Sequence, residues 1–196
     1  MASPIKKEDI KKMSIKSYAD IRDSLKTGDI FFSSGSYVFS GIIRSLTKSS
    51  WSHVAVIYKD EELKRVLVLE AEPYVGIRLI PLSKYLNDYK GKRKPYKGQI
   101  VLARLNVDIP KEDLNKGISF GLDELTRPYD NYEIIRIMIR ILLKVTKRET
   151  NRDYICSELV RDMFAEANVE MPYFDTYISP DNIWQDKRVE MMYRIL

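Results

Sequence analysis

The chain has 196 residues, 44% hydrophobic and 31% charged, which suffices for one enclosed core and argues against two large independent domains or a disordered chain. Its single Cys and single His exclude an intramolecular disulfide and the zinc sites that need four Cys or His ligands, so a carboxylate-rich magnesium or calcium site is the one metal centre left formally open. Lys and Arg outnumber Asp and Glu by 33 to 28, a net charge of +5 that favours phosphate, anionic lipid or nucleic acid nearby without specifying a function.

The start, MASPIKKEDIKKMSIK, is Lys-rich and lacks the apolar run of a secretory signal, so the chain is expected to stay inside the compartment that makes it. Ala2 and the C-terminal RIL carry no lipidation signal. Residues 1–16 read as a loosely held arm or short helix, and Tyr18–Lys26 as a short amphipathic helix. Residues 1–26 thus precede a single domain spanning 27–196. GDIFFSS, Gly28–Ser34, predicts a strand entered through a Gly turn, and Tyr37–Leu46 has helical spacing.

SHVAVIY (Ser52–Tyr58) and KRVLVLE (Lys64–Glu70) are β-branched runs on either side of a polar turn and predict a hairpin. Strands follow over Gly76–Leu82 and Gln99–Leu105, with a helix-like PLSKYLNDY and the basic loop KGKRKPYKG between them. From Pro110 the pattern turns helical: Lys111–Leu125, Tyr132 to about Lys147, and Cys156–Ala167, before a last strand at Val189–Ile195. Sheet first and helices after is the order of an α+β fold. The most apolar stretch, Ile134–Val145, is broken by Arg136, Arg140 and Lys144 and cannot span a bilayer.

The hairpin carries the first chemical inference. With its centre between Glu61 and Glu62, Glu70 falls opposite His53, and opposed side chains on one face lie roughly 4.5–5.5 Å apart at Cβ. A carboxylate there accepts a hydrogen bond from the imidazole and fixes its tautomer. Glu72 is the alternative partner, because a shift of a residue or two in register exchanges the roles.

The second inference comes from DYICSELVRDMF, where Leu159, Val160, Met163 and Phe164 mark one helix face and Cys156 falls in the first turn. The positive end of a helix dipole favours the nucleophilic thiolate, and first-turn N–H groups are free to donate to an oxyanion. Blander readings exist for each residue: a lone Cys is usually a small buried apolar group, a lone strand His a satisfied polar one, and a glutamate at a strand end a solvated charge.

The order GDIFF, WSHVAVIY, VLVLEAEPYVGI, RPYDNY and YICSELV resembles the circularly permuted papain-like hydrolases of the NlpC superfamily, in the YiiX-like and YebB-like branch, over about Thr27–Ala167. The resemblance implies a permuted papain-like fold with the His strand before the Cys helix. It carries the family's nucleophile to Cys156, its base to His53 and its acidic third member to Glu70. Tyr129 and Asp130 then line the cleft or cap the helix that begins at Asn131. Tyr154, Ser157 and Glu72 are further candidates for the cleft or the oxyanion site. The Gly28–Asp29 pair is read as structural, Gly for the turn and Asp for local hydrogen bonds.

The implied reaction is acyl transfer to water through a thioester, on a peptide, isopeptide or cell-wall peptide bond or on an acyl lipid, without metal or organic cofactor. The implied setting is the cytoplasm, or a virus particle for viral members. The basic stretch Lys90–Lys97 and the four-residue spacing of Arg136, Arg140, Lys144 and Arg148 fit either solvated faces or an anionic membrane surface. A non-catalytic basic module for anionic membranes or nucleic acid is the alternative, though no motif for specific nucleic-acid recognition is present. A carboxylate-bound metal hydrolase is a third reading.

Overall fold

The computed structural model describes residues 7–35, 51–73, 75–128, 155–171 and 178–196. The expected helices Tyr37–Leu46 and Tyr132–Lys147, the basic face with Arg136, Arg140, Lys144 and Arg148, and the candidates Tyr129, Asp130 and Tyr154 lie outside them.

In chain order the elements are α1 (Lys7–Lys12), α2 (Tyr18–Ile21) with a 3-10 turn at Arg22–Ser24, β1 (Ile30–Gly35), β2 (His53–Asp60), β3 (Arg65–Glu72), β4 (Gly76–Pro81), α3 (Leu82–Asn87), a 3-10 turn at Tyr89–Gly91, β5 (Gly98–Leu105), α4 (Lys111–Asp123), α5 (Cys156–Glu166), α6 (Pro180–Trp184) and β6 (Val189–Arg194). The six strands form one antiparallel sheet in the order β4-β3-β2-β1-β5-β6. Among the described residues no helix is long and apolar enough to cross a membrane.

Alternation along the strands builds a core on each face. Phe32, Val54, Val56, Leu69 and Ala71 face α5, which buries Leu159, Val160, Met163 and Phe164 against them. Phe31, Ala55, Ile57, Val66 and Val68 face the other way, onto Leu82 and Tyr85 of α3 and onto Tyr89 and Tyr96. Helix α4 lies close against α5. A Cβ on Gly117 would sit 2.2 Å from the Met163 carbonyl oxygen, and one on Gly121 would sit 2.7 Å from the Leu69 side chain. At Gly117, where the neighbour is backbone, only glycine permits that approach.

The chain enters β1 through Gly28, whose φ of 90° is left-handed. Asp29 next to it accepts from the Lys26 N–H at 2.8 Å and from Arg104 Nε at 2.6 Å, which joins the entry turn to β5. The N-terminal segment is held more firmly than its lysines indicate. Ile10 is buried in the core, and Arg194 Nη1 donates to the carbonyls of Ile10, Lys11 and Met13 at the end of α1. Ile15 bridges Arg194, and the Lys16 N–H bonds the Arg194 carbonyl at 2.8 Å on the outer edge of β6. At the opposite edge, Ile77 of β4 bonds Thr126 and Arg127, each at 3.0 Å.

The hairpin register differs from expectation. Strand β2 runs on to Asp60, which pairs with Arg65 across the turn Glu61–Lys64. Asp60 Oδ1 accepts from the Leu63 N–H, and Lys64 takes a left-handed φ of 50° to close the turn. Val56 therefore faces Leu69, and the same register continued to His53 brings Glu72, not Glu70, directly opposite.

Candidate active site

His53 is the first residue of β2 and Cys156 the first of α5, so both project where an element begins. Cys156 belongs to the core on one face of the sheet, while Phe31, edge-on to the His53 ring with centroids 6.4 Å apart, belongs to the core on the other. The Cys156 side chain nonetheless acts on the imidazole and raises its pKa. Its other partner is Glu70: Nε2 lies 2.6 Å from Oε2. The corrected register explains how this contact survives. Residues 53, 70 and 72 share one face, and a long side chain reaches the diagonal neighbour two positions away as readily as the direct one. With Nε2 donating to Glu70, Nδ1 is the ring nitrogen left for the thiol.

Glu70 is fully buried. Oε2 also accepts from Tyr85 Oη at 2.5 Å, and Oε1 accepts from Arg78 Nε at 2.9 Å with Nη2 of the same guanidinium at 2.8 Å. Arg78 sits directly across from Glu70 in the β3–β4 pair. Its Nη2 also reaches Glu72 Oε2 at 3.0 Å, and Glu72 Oε1 accepts from Lys90 Nζ at 2.8 Å. Glu72 thus pairs with two cations one step further from the ring, and Glu70 is the carboxylate that touches it.

The electrostatics follow from these contacts. Burial works to lower the His53 pKa, but the hydrogen bonds and charges of Cys156 and Glu70 overcome it and hold the imidazole well above its ordinary 6.5. Burial would likewise raise the Glu70 carboxyl, yet His53, Arg78 and the Tyr85 hydroxyl hold it below its usual 4.5. Burial and the charge of Glu70 push the Tyr85 phenol well above 10, so it stays a neutral donor.

Ile155 ahead of α5 has no side-chain acceptor, so the first-turn N–H groups of Cys156 and Ser157 are not capped by a side chain. The Ser157 hydroxyl is committed elsewhere. It is fully buried and donates to the Ile178 carbonyl at 2.7 Å, so Ser157 can serve an oxyanion only through its backbone. Arg78 and Tyr85 were not foreseen as site residues, although Arg78 is a lone charge in the apolar run GIRLIP and pairs with Glu70 across β3 and β4.

Comparison with known proteins gives two findings. A family model described as permuted papain-like amidase enzyme, YaeF/YiiX, C92 family, matches residues 24–191. A crystal structure titled as that of the metalloprotein yiiX from Escherichia coli O157:H7 superposes with a TM-score of 0.61 at 18% identity, covering 85% of this chain and 96% of that one. No curated protein matches the sequence. Among the described residues no three His, Cys, Asp or Glu side chains group to hold a metal ion.

Proposed function

The chain belongs to the permuted papain-like amidase family, a family of cysteine hydrolases, and from that premise we propose that it cleaves an amide bond with a Cys156–His53–Glu70 triad. The observation that carries this reading is the imidazole with Nε2 2.6 Å from a fully buried carboxylate, Glu70, in a chain whose one thiol, Cys156, raises the pKa of the same ring.

In the reaction, Cys156 Sγ attacks the carbonyl carbon, and the oxygen takes up negative charge facing the first-turn N–H groups of α5. His53 as imidazolium gives its proton to the amide nitrogen, the C–N bond breaks, and an amine leaves a thioester on Cys156. His53, now neutral, takes a proton from water as the water oxygen attacks the thioester. The C–S bond breaks and releases a carboxylic acid. Glu70 stays ionised throughout and keeps the ring in one tautomer. No step calls for a metal or organic cofactor.

Peptide and amino-acid amides, including isopeptide and cell-wall peptide bonds, are the substrate class; acyl lipids come second. The second class draws on Lys92, Arg93 and Lys94, which are exposed, form no ion pair among the described residues, and suit an anionic membrane surface. The proposed location is the cytoplasm, or the particle if the source is a virus.

A panel of fluorogenic amino-acid and peptide amides, with intact mass to capture the acyl-enzyme, tests the reading. Wild type turns over at least one amide and carries a thioester adduct, and Cys156→Ala and His53→Ala lose both while remaining folded. Turnover that survives thiol alkylation and is lost to a chelator would overturn it in favour of a metal hydrolase. No turnover, with salt-sensitive vesicle binding that Cys156→Ala leaves unchanged, would favour a non-catalytic basic module.

A further inference from the structure

A carboxylate that only steadies an imidazole needs one hydrogen bond to it, but Glu70 is gripped from three directions. His53 arrives from β2, Arg78 from β4 and Tyr85 from α3. Tyr85 and His53 share the same oxygen, at 2.5 and 2.6 Å, so the phenol fills the position to which a rotating carboxylate would otherwise turn. Neither outer residue has much freedom. The Tyr85 ring packs on Phe31, Tyr89 and Tyr96, with centroids 4.8, 5.0 and 5.6 Å away. Arg78 is tied on its far side to Glu72, and Glu72 to Lys90.

We infer that Arg78 and Tyr85 are positioning residues: they fix the plane of the Glu70 carboxylate and share its charge, so that Glu70 aims the His53 ring at Cys156 without keeping its proton. The inference rests on the triad reading above. Its chemical point is that the ring must hand its proton to a leaving amine. An ionised carboxylate buried with no other donor would bind the imidazolium so tightly that it became a poor acid. The groups facing this unit are the Cys156 thiol from α5, Glu72 from β3, Arg78 from β4, Tyr85 from α3, and Tyr89 and Lys90 from the following turn.

The chain has one histidine, so its ring signals in NMR need no assignment. The experiment titrates them in wild type, Tyr85→Phe, Arg78→Lys, Arg78→Met and Cys156→Ala. Removing a donor or a cation from Glu70 raises the proton affinity of His53, about threefold in Tyr85→Phe and about tenfold in Arg78→Met, with Arg78→Lys between wild type and Arg78→Met. Tyr85→Phe keeps the ring packing and Arg78→Lys keeps the charge, so both remain informative if Arg78→Met does not fold.

A His53 midpoint within twofold of wild type in folded Tyr85→Phe and Arg78→Lys would overturn the inference, leaving these residues with a purely structural role. Cys156→Ala separates that failure from a failure of the triad itself. Losing a partner that raises the His53 pKa, it lowers the midpoint if thiol and ring are coupled and leaves it unmoved if they are not.

Discussion

Replacing Glu70 by Gln changes one oxygen to an amide nitrogen in a site where both oxygens accept. If the new oxygen faces Arg78, the amide N–H2 faces His53 Nε2. The ring must then accept there and carry its proton on Nδ1, toward Cys156, the tautomer that cannot take a proton from the thiol. If the oxygen faces His53, the amide points its donors at the Arg78 guanidinium inside a fully buried pocket. The first arrangement is the less costly, so the variant traps the wrong tautomer.

The carboxylate-to-amide change in the Ser-His-Asp template lowers kcat about 10⁴-fold by this route, and a loss of ~10³–10⁴, or about 4–5.5 kcal/mol of transition-state stabilisation, is expected here. Removing one partner of a buried ion pair also destabilises by about 3 kcal/mol, which at ~2–4 °C per kcal/mol for a domain of this size lowers Tm by about 6–12 °C. Amide turnover and a thermal melt measure the two effects together. Glu72→Gln, which changes a carboxylate one step from the ring, is expected to stay within about tenfold of wild-type kcat. A folded Glu70→Gln that keeps more than a tenth of wild-type kcat would refute the reasoning, and losses of equal size in both variants would show that Glu70 has no special place beside the ring.

Two further outcomes follow from other parts of the molecule. Gly117→Ala would gain about 1 kcal/mol in an isolated helix, but its Cβ would meet the Met163 carbonyl at 2.2 Å. Overpacking of about 1–3 kcal/mol exceeds that gain, so Tm falls by a few degrees, and a rise would show that α4 can move away. The His53–Glu70 pair also gives stability a defined pH dependence. Because the folded His53 pKa is raised, its contribution is complete below 6.5 and is lost as pH climbs through the folded value. Because the Glu70 value is lowered, its contribution is complete above 4.5 and is lost as pH falls through the folded value. The stability difference between wild type and His53→Gln in urea melts should therefore be largest between those limits and shrink toward alkaline pH; a flat difference would contradict the pairing.

The strands around the site were legible because alternation and β-branching are local signals, and α5 because its apolar residues repeat at helical spacing. The register was not, because the end of β2 depends on how Asp60 and Lys64 close the turn. Glu70 reaches the His53 ring despite the different register because residues 53, 70 and 72 lie on one face. Arg78 and Tyr85 belong to elements placed by tertiary packing, and only the single arginine within an apolar strand hinted at a buried acid to meet it. Helix α6 was missed although Ser179 and Asn182 cap it reciprocally and Pro180 opens it, a pattern readable in SPDN. The grip on the N-terminal segment depends on Arg194, far away in the sequence.

That grip, together with the Thr126–Arg127 bonds to Ile77, bears on how another polypeptide can approach. Each outer strand already spends backbone groups on its own chain, β6 on Lys16 and β4 on Thr126 and Arg127. A visiting peptide would find an interrupted row of donors and acceptors rather than a template along which to zip as a seventh strand. If the substrate is a peptide, as proposed above, side chains and the scissile carbonyl at the start of β2 and α5 would carry more of its recognition than strand pairing. Selectivity would then rest on pocket shape more than on extended backbone pairing, and the same interrupted edges hinder the sheet from joining that of a neighbouring molecule.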